Sequence, residues 1–345
     1  MYRKILTLFL AMVMVVFVGC NKDGKTESEL NQTAVVSEEK KPEPVYYINP
    51  LTGEKNLSSE EKSQNRPVAI MVNNASNAQR VQTGLTEADI VYETEVEGGI
   101  TRLMAVYQDI SSVEKIGTVR SARYAYIDLA MGHNAVYVHH GQDPTYAAPH
   151  LKDTQTITVD TKVLGKRIKN GETTEHTLYA FGDKIWERVV EKGYNKKSAN
   201  TADWQLFADA ETKVTYENVA NTVNVPFSSS YKSVFKYDTA KEKYVRYFKT
   251  TERKDYFTDE SEYFKNIFVL ITNISDYPDG KHRKIDLTSG NGYYCVNGTY
   301  IPIKWSKGNS SSSFVFTNTD GTPLTVNQGN SYVCIMGKNF APSFE

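Results

Sequence analysis

The chain has 345 residues, and at about 150 residues per domain this length predicts two domains. Because 40% of the residues are hydrophobic and 23% are charged, the composition is typical of a globular protein and excludes disorder over most of the chain. Lys and Arg total 40 while Asp and Glu total 41, so the net charge is −1. The chain therefore lacks the basic excess that general nucleic-acid binding requires.

The first 20 residues have the pattern of a bacterial lipoprotein signal peptide. Arg3 and Lys4 precede an apolar run over residues 5–18, which is shorter than the about 20 residues of a membrane-spanning helix. Gly19 and Cys20 follow in the positions of a lipobox, whose cysteine becomes the lipid-modified first residue of the mature protein. The pattern predicts lipidation at Cys20 and a location on the extracytoplasmic face of the cell membrane. The alternative is an uncleaved anchor helix with an incidental cysteine.

Residues 21–65 are rich in Asn, Lys, Glu, Ser and Pro and poor in large apolar side chains. Such a segment cannot bury enough apolar surface to offset the entropy that it would lose on ordering. We therefore expect a flexible polar tether between the membrane and the folded protein.

Residues 66–211 alternate strand and helix patterns, which predicts an α/β domain with layers of helix and sheet. The predicted elements are strands over 68–72, 90–97 and 100–108, a helix over 122–131 between Ser121 and Gly132, a strand over 135–139 and a helix over 183–192. Gly98 and Gly99 separate the second and third strands, and a Gly-Gly pair between strands predicts a two-residue hairpin turn.

Residues 231–340 contain many short apolar runs separated by Asp-Gly and Asn-Gly turns, which predicts a smaller, mainly β domain of sandwich or barrel type. The polar segment 212–230 is predicted to connect two independently folded units. Cys295 and Cys334 lie in predicted strands of the β domain. They form either a disulfide or two buried thiols, and the strand positions favour the thiols.

Three carboxylates alternate along the second predicted strand. Glu93, Glu95 and Glu97 would share one face, and a two-residue turn would place Glu95 beside Arg102 on the next strand. Because one arginine cannot neutralise three carboxylates, a ligand or another cation would stabilise this face. A solvated sheet face with one cross-strand ion pair is the alternative interpretation.

Two arginines flank the predicted start of the helix at 122. Arg120 and Arg123 would lie at the positive end of the helix dipole, where a cation is unfavourable and a phosphate or carboxylate is favourable. We therefore expect Arg102, Arg120 and Arg123, with Glu93 and Glu95 nearby, to form a ligand-binding cluster. An internal network of ion pairs is the alternative.

Three residues are candidates for acid–base chemistry: Glu97, Asp143 and His176. Asp143 could orient His140, which precedes it by three residues. The chain contains no zinc-ligand spacing, no Gly-x-Ser-x-Gly elbow and no Walker loop, so the sequence predicts no metal and no cofactor.

Four motifs together resemble the YerB-like lipoproteins, a two-domain family of unknown function from the envelopes of Gram-positive bacteria. The motifs are RPVAIMV at 66–72, LTEADIVYE at 85–93, VEGGITR at 96–102 and GTVRSAR at 117–123. Two positions depart from the family pattern. Thr118 stands where the family often has proline, and residues 174–179 replace a usual Pro-His-Asn-Leu-Tyr while keeping His176 and Tyr179. The resemblance implies an envelope location and this architecture, and it implies no settled reaction.

These observations favour a membrane-tethered lipoprotein with a binding or regulatory role in the cell envelope. The alternative is an enzyme, a hydrolase or transferase, that acts on an anionic envelope polymer or a lipid-linked substrate. Whether the protein is an enzyme stays open, and the missing nucleophile motifs favour the binding role. The expected partners are the membrane, through the lipid anchor, and either an envelope protein or an anionic envelope ligand.

Lipidation gives the first testable prediction. Cys20→Ala should move the protein from the membrane fraction to the medium or leave an unprocessed precursor, because the thiol that carries the lipid is gone. Immunoblots of membrane and medium fractions, with Cys295→Ala as the control, measure this. Normal processing and unchanged detergent partitioning of the Cys20 variant would contradict the prediction.

Overall fold

The computed structural model describes residues 44–197 and 205–345. The predictions for the signal peptide, for Cys20 and for residues 21–43 of the tether lie outside the described residues.

The N-terminal part contains ten strands and four helices. The strands are β1 (Tyr47–Ile48), β2 (Lys55–Leu57), β3 (Val68–Asn73), β4 (Ile90–Glu95), β5 (Thr101–Tyr107), β6 (Ile116–Gly117), β7 (Val136–His139), β8 (Thr156–Thr158), β9 (Gly165–Arg167) and β10 (Leu178–Ala180). The helices are α1 (Glu60–Gln64), α2 (Tyr124–Gly132), α3 (Ala147–His150) and α4 (Gly182–Glu191).

The described C-terminal part consists of strands. They are β11 (Leu206–Phe207), β12 (Asn218–Val219), β13 (Thr222–Pro226), β14 (Lys232–Asp238), β15 (Lys243–Phe248), β16 (Thr251–Glu252), β17 (Tyr263–Phe264), β18 (Asn266–Thr272), β19 (Ile274–Asp276), β20 (Arg283–Ile285), β21 (Ser289–Val296), β22 (Thr299–Ser306), β23 (Val315–Asn318), β24 (Thr325–Val326), β25 (Ser331–Gly337) and β26 (Ser343–Phe344). The prediction of an α/β part followed by a mainly β part is confirmed.

One mixed sheet of 11 strands runs through both parts, in the order β12-β22-β21-β18-β25-β4-β5-β3-β7-β8, with β23 beside β22. The two parts join where β4 pairs in parallel with β25. The ladder orientations make β3, β4, β7, β8, β18 and β25 run in one direction, so their carboxyl ends lie at one edge of the sheet.

Apolar side chains cover both faces of this sheet. On one face pack α4, the three-stranded sheet β6-β10-β9 and the six-stranded sheet that contains β13–β17 and β26. On the other face pack α2 and the apolar side chains of β22 and β23. Residues 44–345 form one compact unit as a result, in which a shared sheet joins the two domains that were predicted to fold independently.

Two boundaries predicted from composition are also wrong. The predicted tether ends too late, because residues 44–65 fold as β1, β2 and α1, with Leu51 and Leu57 buried and Asn49 donating a hydrogen bond to Asp89 at 2.8 Å. The predicted connector 212–230 contains β13, which pairs with β14 and β26 inside the six-stranded sheet. Polar composition misled the prediction because both segments bury only a few apolar residues.

The helix after the arginine motif begins at Tyr124, two residues later than predicted. Ser121 does not cap it, because the chain stays extended until Arg123, with the Ala122 amide bonded to the carbonyl oxygen of Gly141. Helix α2 therefore begins without a side-chain hydrogen bond at its N-cap, Arg123. Gly132 is its last helical residue rather than its terminator.

The hairpin between β4 and β5 has a longer loop than predicted. Glu95 lies opposite Thr101 and Thr94 lies opposite Arg102, so the predicted Glu95–Arg102 pair is wrong. The turn is longer because residues 97–99 form a single 3₁₀ turn, in which both glycines have positive φ. Since side chains alternate along a strand, Arg102 points to the opposite face of the sheet from Glu95.

The two cysteines are buried free thiols, as the strand positions favoured. Cys295 on β21 and Cys334 on β25 lie on opposite sides of β18. Two strand spacings of about 4.8 Å separate them, which exceeds the Cα separation that a disulfide allows. Burial raises the pKa of both thiols.

Glu93 on β4 joins the two parts through hydrogen bonds. Its side chain is fully buried, and it accepts bonds from Asn74 and Thr101 at 2.9 and 2.6 Å. Its second oxygen accepts bonds from Ser233 and Tyr332 of the C-terminal part at 2.7 and 2.6 Å. All four donors are side chains, so both carboxylate oxygens are satisfied without water.

A buried arginine compensates the charge in this region. Arg246 donates to Asn74 at 3.0 Å and to Glu262 at 2.8 Å, and it lies 5.4 Å from the centre of the Tyr332 ring. Burial lowers the pKa of Arg246, but Tyr332, Glu262 and Glu93 outweigh burial and raise the pKa overall. The junction of the two parts is therefore a charged, hydrogen-bonded network rather than an apolar seam.

We expect Glu93→Ala to lower the free energy of unfolding by about 3 to 5 kcal/mol, because the substitution leaves four buried donors without their acceptor and removes a negative charge near Arg246. Urea unfolding monitored by circular dichroism measures the change. Glu61→Ala on the exposed face of α1 is the matched control and should stay within about 0.5 kcal/mol of the wild type. A loss below about 1 kcal/mol for Glu93→Ala would contradict the role of this network.

Candidate functional site

The candidate site lies at the edge of the large sheet where the parallel-running strands end. Ligands of open α/β sheets bind outside the carboxyl ends of such strands. Here the loops after β3, β4 and β7 come from the N-terminal part, and the β19–β20 hairpin follows β18 of the C-terminal part. Both parts of the chain therefore build this edge.

Three arginines that were candidates from the sequence lie near one another at this edge. Arg102 is the second residue of β5 and is only 7% exposed, and its guanidinium donates to the carbonyl oxygen of Ser121 at 2.6 Å. Arg120 and Arg123 follow β6 on the extended segment before α2. Burial, together with the positive charges of Arg123 and Arg120, lowers the pKa of Arg102 to about 10, although Glu97 and Tyr126 oppose this shift.

Two carboxylates face these arginines. Arg123 donates to Glu97 at 2.5 Å, and Arg120 lies 3.6 Å from the exposed carboxylate of Glu175. Burial raises the pKa of Glu97, but the hydrogen bond and charge of Arg123, with the charge of Arg102, lower it overall. Glu97 is therefore an ionised counterion of Arg123. Arg102, by contrast, forms no salt bridge with any carboxylate of the described residues.

The C-terminal part contributes a histidine that the sequence analysis missed. His282 Nε2 lies 3.0 Å from Asp143 and 3.4 Å from Glu97, while its Nδ1 lies 2.5 Å from Asp279. The hydrogen bond from His282 is the largest of the effects that lower the pKa of Asp279 to about 2. The only sequence signal was the basic triplet at 281–283 directly after an Asp-Gly turn.

Asp143 holds a turn and does not orient His140. Its carboxylate accepts the backbone amides of residues 145–147, and His140 instead contacts the carbonyl oxygen of Val159. Burial raises the pKa of Asp143, yet those amides and the charge of His282 lower it overall. This ionised, fully bonded carboxylate is poorly suited to donate a proton.

His176 belongs to a second, adjoining cluster. Its Nδ1 lies 2.6 Å from the side-chain amide nitrogen of Asn73. Because that nitrogen can only donate, Nδ1 accepts, and the ring proton is on Nε2, which lies 3.0 Å from Glu175. Glu175 in turn faces Arg120. The candidates Glu97 and Asp143 therefore meet at His282, while His176 is connected to them only through the arginines.

Two predicted ligand-binding carboxylates lie elsewhere. Glu93 is fully buried in the junction between the two parts and is closed to ligands, because four donors occupy its oxygens. Glu95 binds Arg283 of the β19–β20 hairpin at 2.6 Å. The prediction that the three glutamates act together on one face is wrong, because each of them has a different partner.

Aromatic rings line the side of the site next to the hairpin. Tyr146 stacks on Tyr277 with ring centres 3.9 Å apart, and Tyr124 stacks on His150 at 4.1 Å. The enclosed space beside them measures ≈ 20 Å³, which holds about one water molecule. In this conformation the cleft is closed by the contacts of Glu97, Arg123 and His282.

Among residues 44–197 and 205–345, no group of three His, Cys, Asp or Glu side chains is arranged to hold a metal ion. Within the same ranges, the helices are all too short or too polar to cross a membrane.

The family relationship agrees with this architecture. Residues 51–195 match the N-terminal domain, and residues 223–333 the C-terminal domain, of a family described as a protein of unknown function (DUF3048). The chain belongs to this family. It is 31% identical over 270 residues to "Putative lipoprotein YerB" of Bacillus subtilis (strain 168). The aligned region covers 75% of this chain and 78% of that protein.

A crystal structure of YerB protein from Bacillus subtilis has the same fold. Its TM-score is 0.74 at 29% sequence identity, and the alignment covers 87% of this chain and 99% of that one. The predicted family and the predicted two-domain, β-rich architecture are therefore confirmed. The relative's name connects the chain with lipoproteins, and the family description assigns no function.

The contacts of His282 predict a pH effect. His282→Ala should raise the pKa of Asp279 from about 2 toward its ordinary value of about 3.9, because the largest stabilising interaction of the ionised carboxylate is lost. Because the pKa of Asp279 is lower in the folded state than in the unfolded state, its ionised carboxylate adds to the free energy of unfolding above about pH 4. This contribution disappears as the pH falls toward 2. The variant should therefore keep only the part of this contribution that the backbone amides of residues 281 and 282 provide.

Carboxyl-carbon NMR titration measures the pKa of Asp279 in both proteins. Asp320 is the internal control, because its lowered pKa comes from its own turn at Thr322 and should not change. An Asp279 pKa that is the same in both proteins would refute the assignment of His282 as its partner.

Proposed function

We propose that this protein is a membrane-tethered lipoprotein that binds a phosphate or carboxylate anion at the arginine cluster. Cys20 would carry the lipid, and the folded part would face the extracytoplasmic side. The observation that carries the proposal is the charge around Arg102. This buried guanidinium lies beside two further arginines and has no carboxylate in salt-bridge contact among the described residues.

Burying a charge is costly unless the charge is paired. Arg102 makes a neutral hydrogen bond to a carbonyl group, and Arg123 and Arg120 add repulsion. An anion that bridges the guanidinium groups would remove this repulsion and accept charge-assisted hydrogen bonds, which are stronger than neutral ones. The charge of Arg102, which no salt bridge with a described carboxylate compensates, therefore favours a bound anion.

The start of α2 supports the same conclusion. This helix of nine residues begins at Tyr124, and its N-cap has no side-chain hydrogen bond. Exposed amides and the helix dipole attract anions to such a terminus. Arg123 occupies the cap position and connects this terminus with the arginine cluster.

Glu97 acts as an internal competitor for the anion. It occupies Arg123 at 2.5 Å, and the small enclosed volume leaves no room for a ligand while this contact persists. An incoming anion would take over Arg123 and release Glu97. Binding is then an exchange of one carboxylate for another anion, and Glu97 keeps Arg123 paired when no ligand is present.

The enzyme alternative receives no specific support from this geometry. Glu97 and Asp143 are both ionised counterions with lowered pKa values, and neither is poised as a proton donor at neutral pH.

Titration with inorganic phosphate tests the proposal. Arg102→Ala should weaken phosphate binding at least about tenfold, because it removes a charge-assisted contact worth roughly 1.5–3 kcal/mol. Glu97→Gln should instead tighten binding, because it keeps the side-chain shape and releases Arg123. Isothermal titration calorimetry measures both, and a thermal melt of each variant verifies folding.

Arg188→Ala is the matched control, since Arg188 on α4 pairs with Glu191 away from the cluster. It should bind phosphate as the wild type does. Identical phosphate affinities for the wild type, Arg102→Ala and Glu97→Gln would overturn the proposal.

A further inference from the structure

A large polar pocket lies directly beside the arginine site. It measures ≈ 560 Å³, and it opens between α2, the β19–β20 hairpin and the loop after β22. The lining that bears on a ligand consists of Asp128, Asn273, Ser275, Lys284, Asp286 and Lys307. We call it the Lys307 pocket.

The pocket adjoins the closed cleft. Ile285 of β20 lines both spaces. On α2, Tyr124 lines the cleft and Asp128 lines the pocket, and the two are joined through His150, which stacks on Tyr124 and bonds to Asp128 at 2.6 Å. From Arg123 to Asp128 the helix rises about 7.5 Å. A ligand with a sugar ring and a phosphate can span this distance.

The chemistry of the pocket is neutral and rich in both donors and acceptors. Asp128 and Asp286 balance Lys284 and Lys307, so the pocket has no net attraction for an ion. Asn273 adds an amide that both donates and accepts. Sugar hydroxyl groups, which also donate and accept, match this lining better than an ion or an apolar group does.

Lys307 is built into the fold rather than lying loosely on the surface. Its side chain is 3% exposed, and its ammonium donates to the carbonyl oxygens of Asn309 and Ser310 at 2.8 and 2.5 Å. Burial lowers the pKa of Lys307 to about 8, with Asp128 opposing the shift. The lysine therefore orders the loop that forms one wall of the pocket.

We propose that the Lys307 pocket is a saccharide subsite, so that the protein binds a sugar phosphate whose phosphate lies on the arginine cluster and whose sugar lies in the pocket. This inference rests on the proposed function, because it takes the arginine cluster as the anion site. It adds the chemical class of the ligand.

The test compares three probes on the full mature protein: inorganic phosphate, glucose and glucose 1-phosphate. Glucose 1-phosphate should bind at least about tenfold more tightly than inorganic phosphate, because the sugar adds contacts in the pocket. Lys284→Met and Lys307→Met should reduce its affinity to that of inorganic phosphate and leave phosphate binding itself unchanged.

Lys304→Met is the matched control. Lys304 is exposed on β22 and donates to the carbonyl oxygen of Thr319, outside the pocket. Lys284 is exposed, so its variant keeps the test valid if Lys307→Met fails to fold.

The outcomes separate the two proposals. If phosphate binds and glucose 1-phosphate binds no more tightly in any variant, the saccharide subsite is overturned and the anion site stands. If glucose 1-phosphate binding responds to Lys284→Met and not to Arg102→Ala, the saccharide subsite is supported and the anion site is overturned. If none of the probes binds, both are overturned.

Discussion

The pairing of β4 with β25, held by Glu93, is the constraint on which the rest of the structure depends. A shift of one residue in a ladder turns every side chain to the opposite face. Glu93 would then lose Asn74 and Thr101 on its own side and Ser233 and Tyr332 on the other. The buried carboxylate thus fixes the register between two segments that are far apart in the sequence.

This register positions the candidate site. The same strand that holds Glu93 leads directly into the loop of Glu97, and β18, two strands away, leads into the hairpin of His282. Because β25 joins these strands, Glu97 and His282 meet at 3.4 Å although 185 residues separate them. The charged junction in the core therefore fixes the positions of these side chains at the edge of the sheet, where the arginines lie.

Local patterns were sufficient for the strands with continuous apolar runs, such as β3 and β25, and for helix α4, which ends before Gly193. They also identified the arginine motif, because two arginines before a helix contradict the helix dipole whatever surrounds them. Alternation along β4 was misleading. Glu93, Glu95 and Glu97 form one acidic stripe in the sequence, and the fold separates them into a buried junction, an ion pair with the hairpin and a counterion in the cleft.

What local patterns could not supply was the partner of each charge. His282 lies in a polar turn whose basic triplet at 281–283 is a weak signal, and its partners Asp143 and Glu97 belong to the other part of the chain. The long β4–β5 loop was equally hidden, since a Gly-Gly pair fits a two-residue turn as well as the observed 3₁₀ turn. These features depend on contacts between distant segments, which a single sequence does not specify.

The distribution of charge explains why binding fits this edge better than catalysis does. General acid–base catalysis needs a group that can gain or lose a proton near neutral pH. At this edge Glu97 and Asp143 are held ionised, and the arginines stay charged, so none of them is suited to donate a proton at neutral pH. What the edge does hold is Arg102, which is buried beside two like charges and forms no salt bridge with a carboxylate of the described residues. In the proposed function, this local excess of positive charge around Arg102 would attract the anion, and Glu97 would limit the affinity so that the anion can leave again.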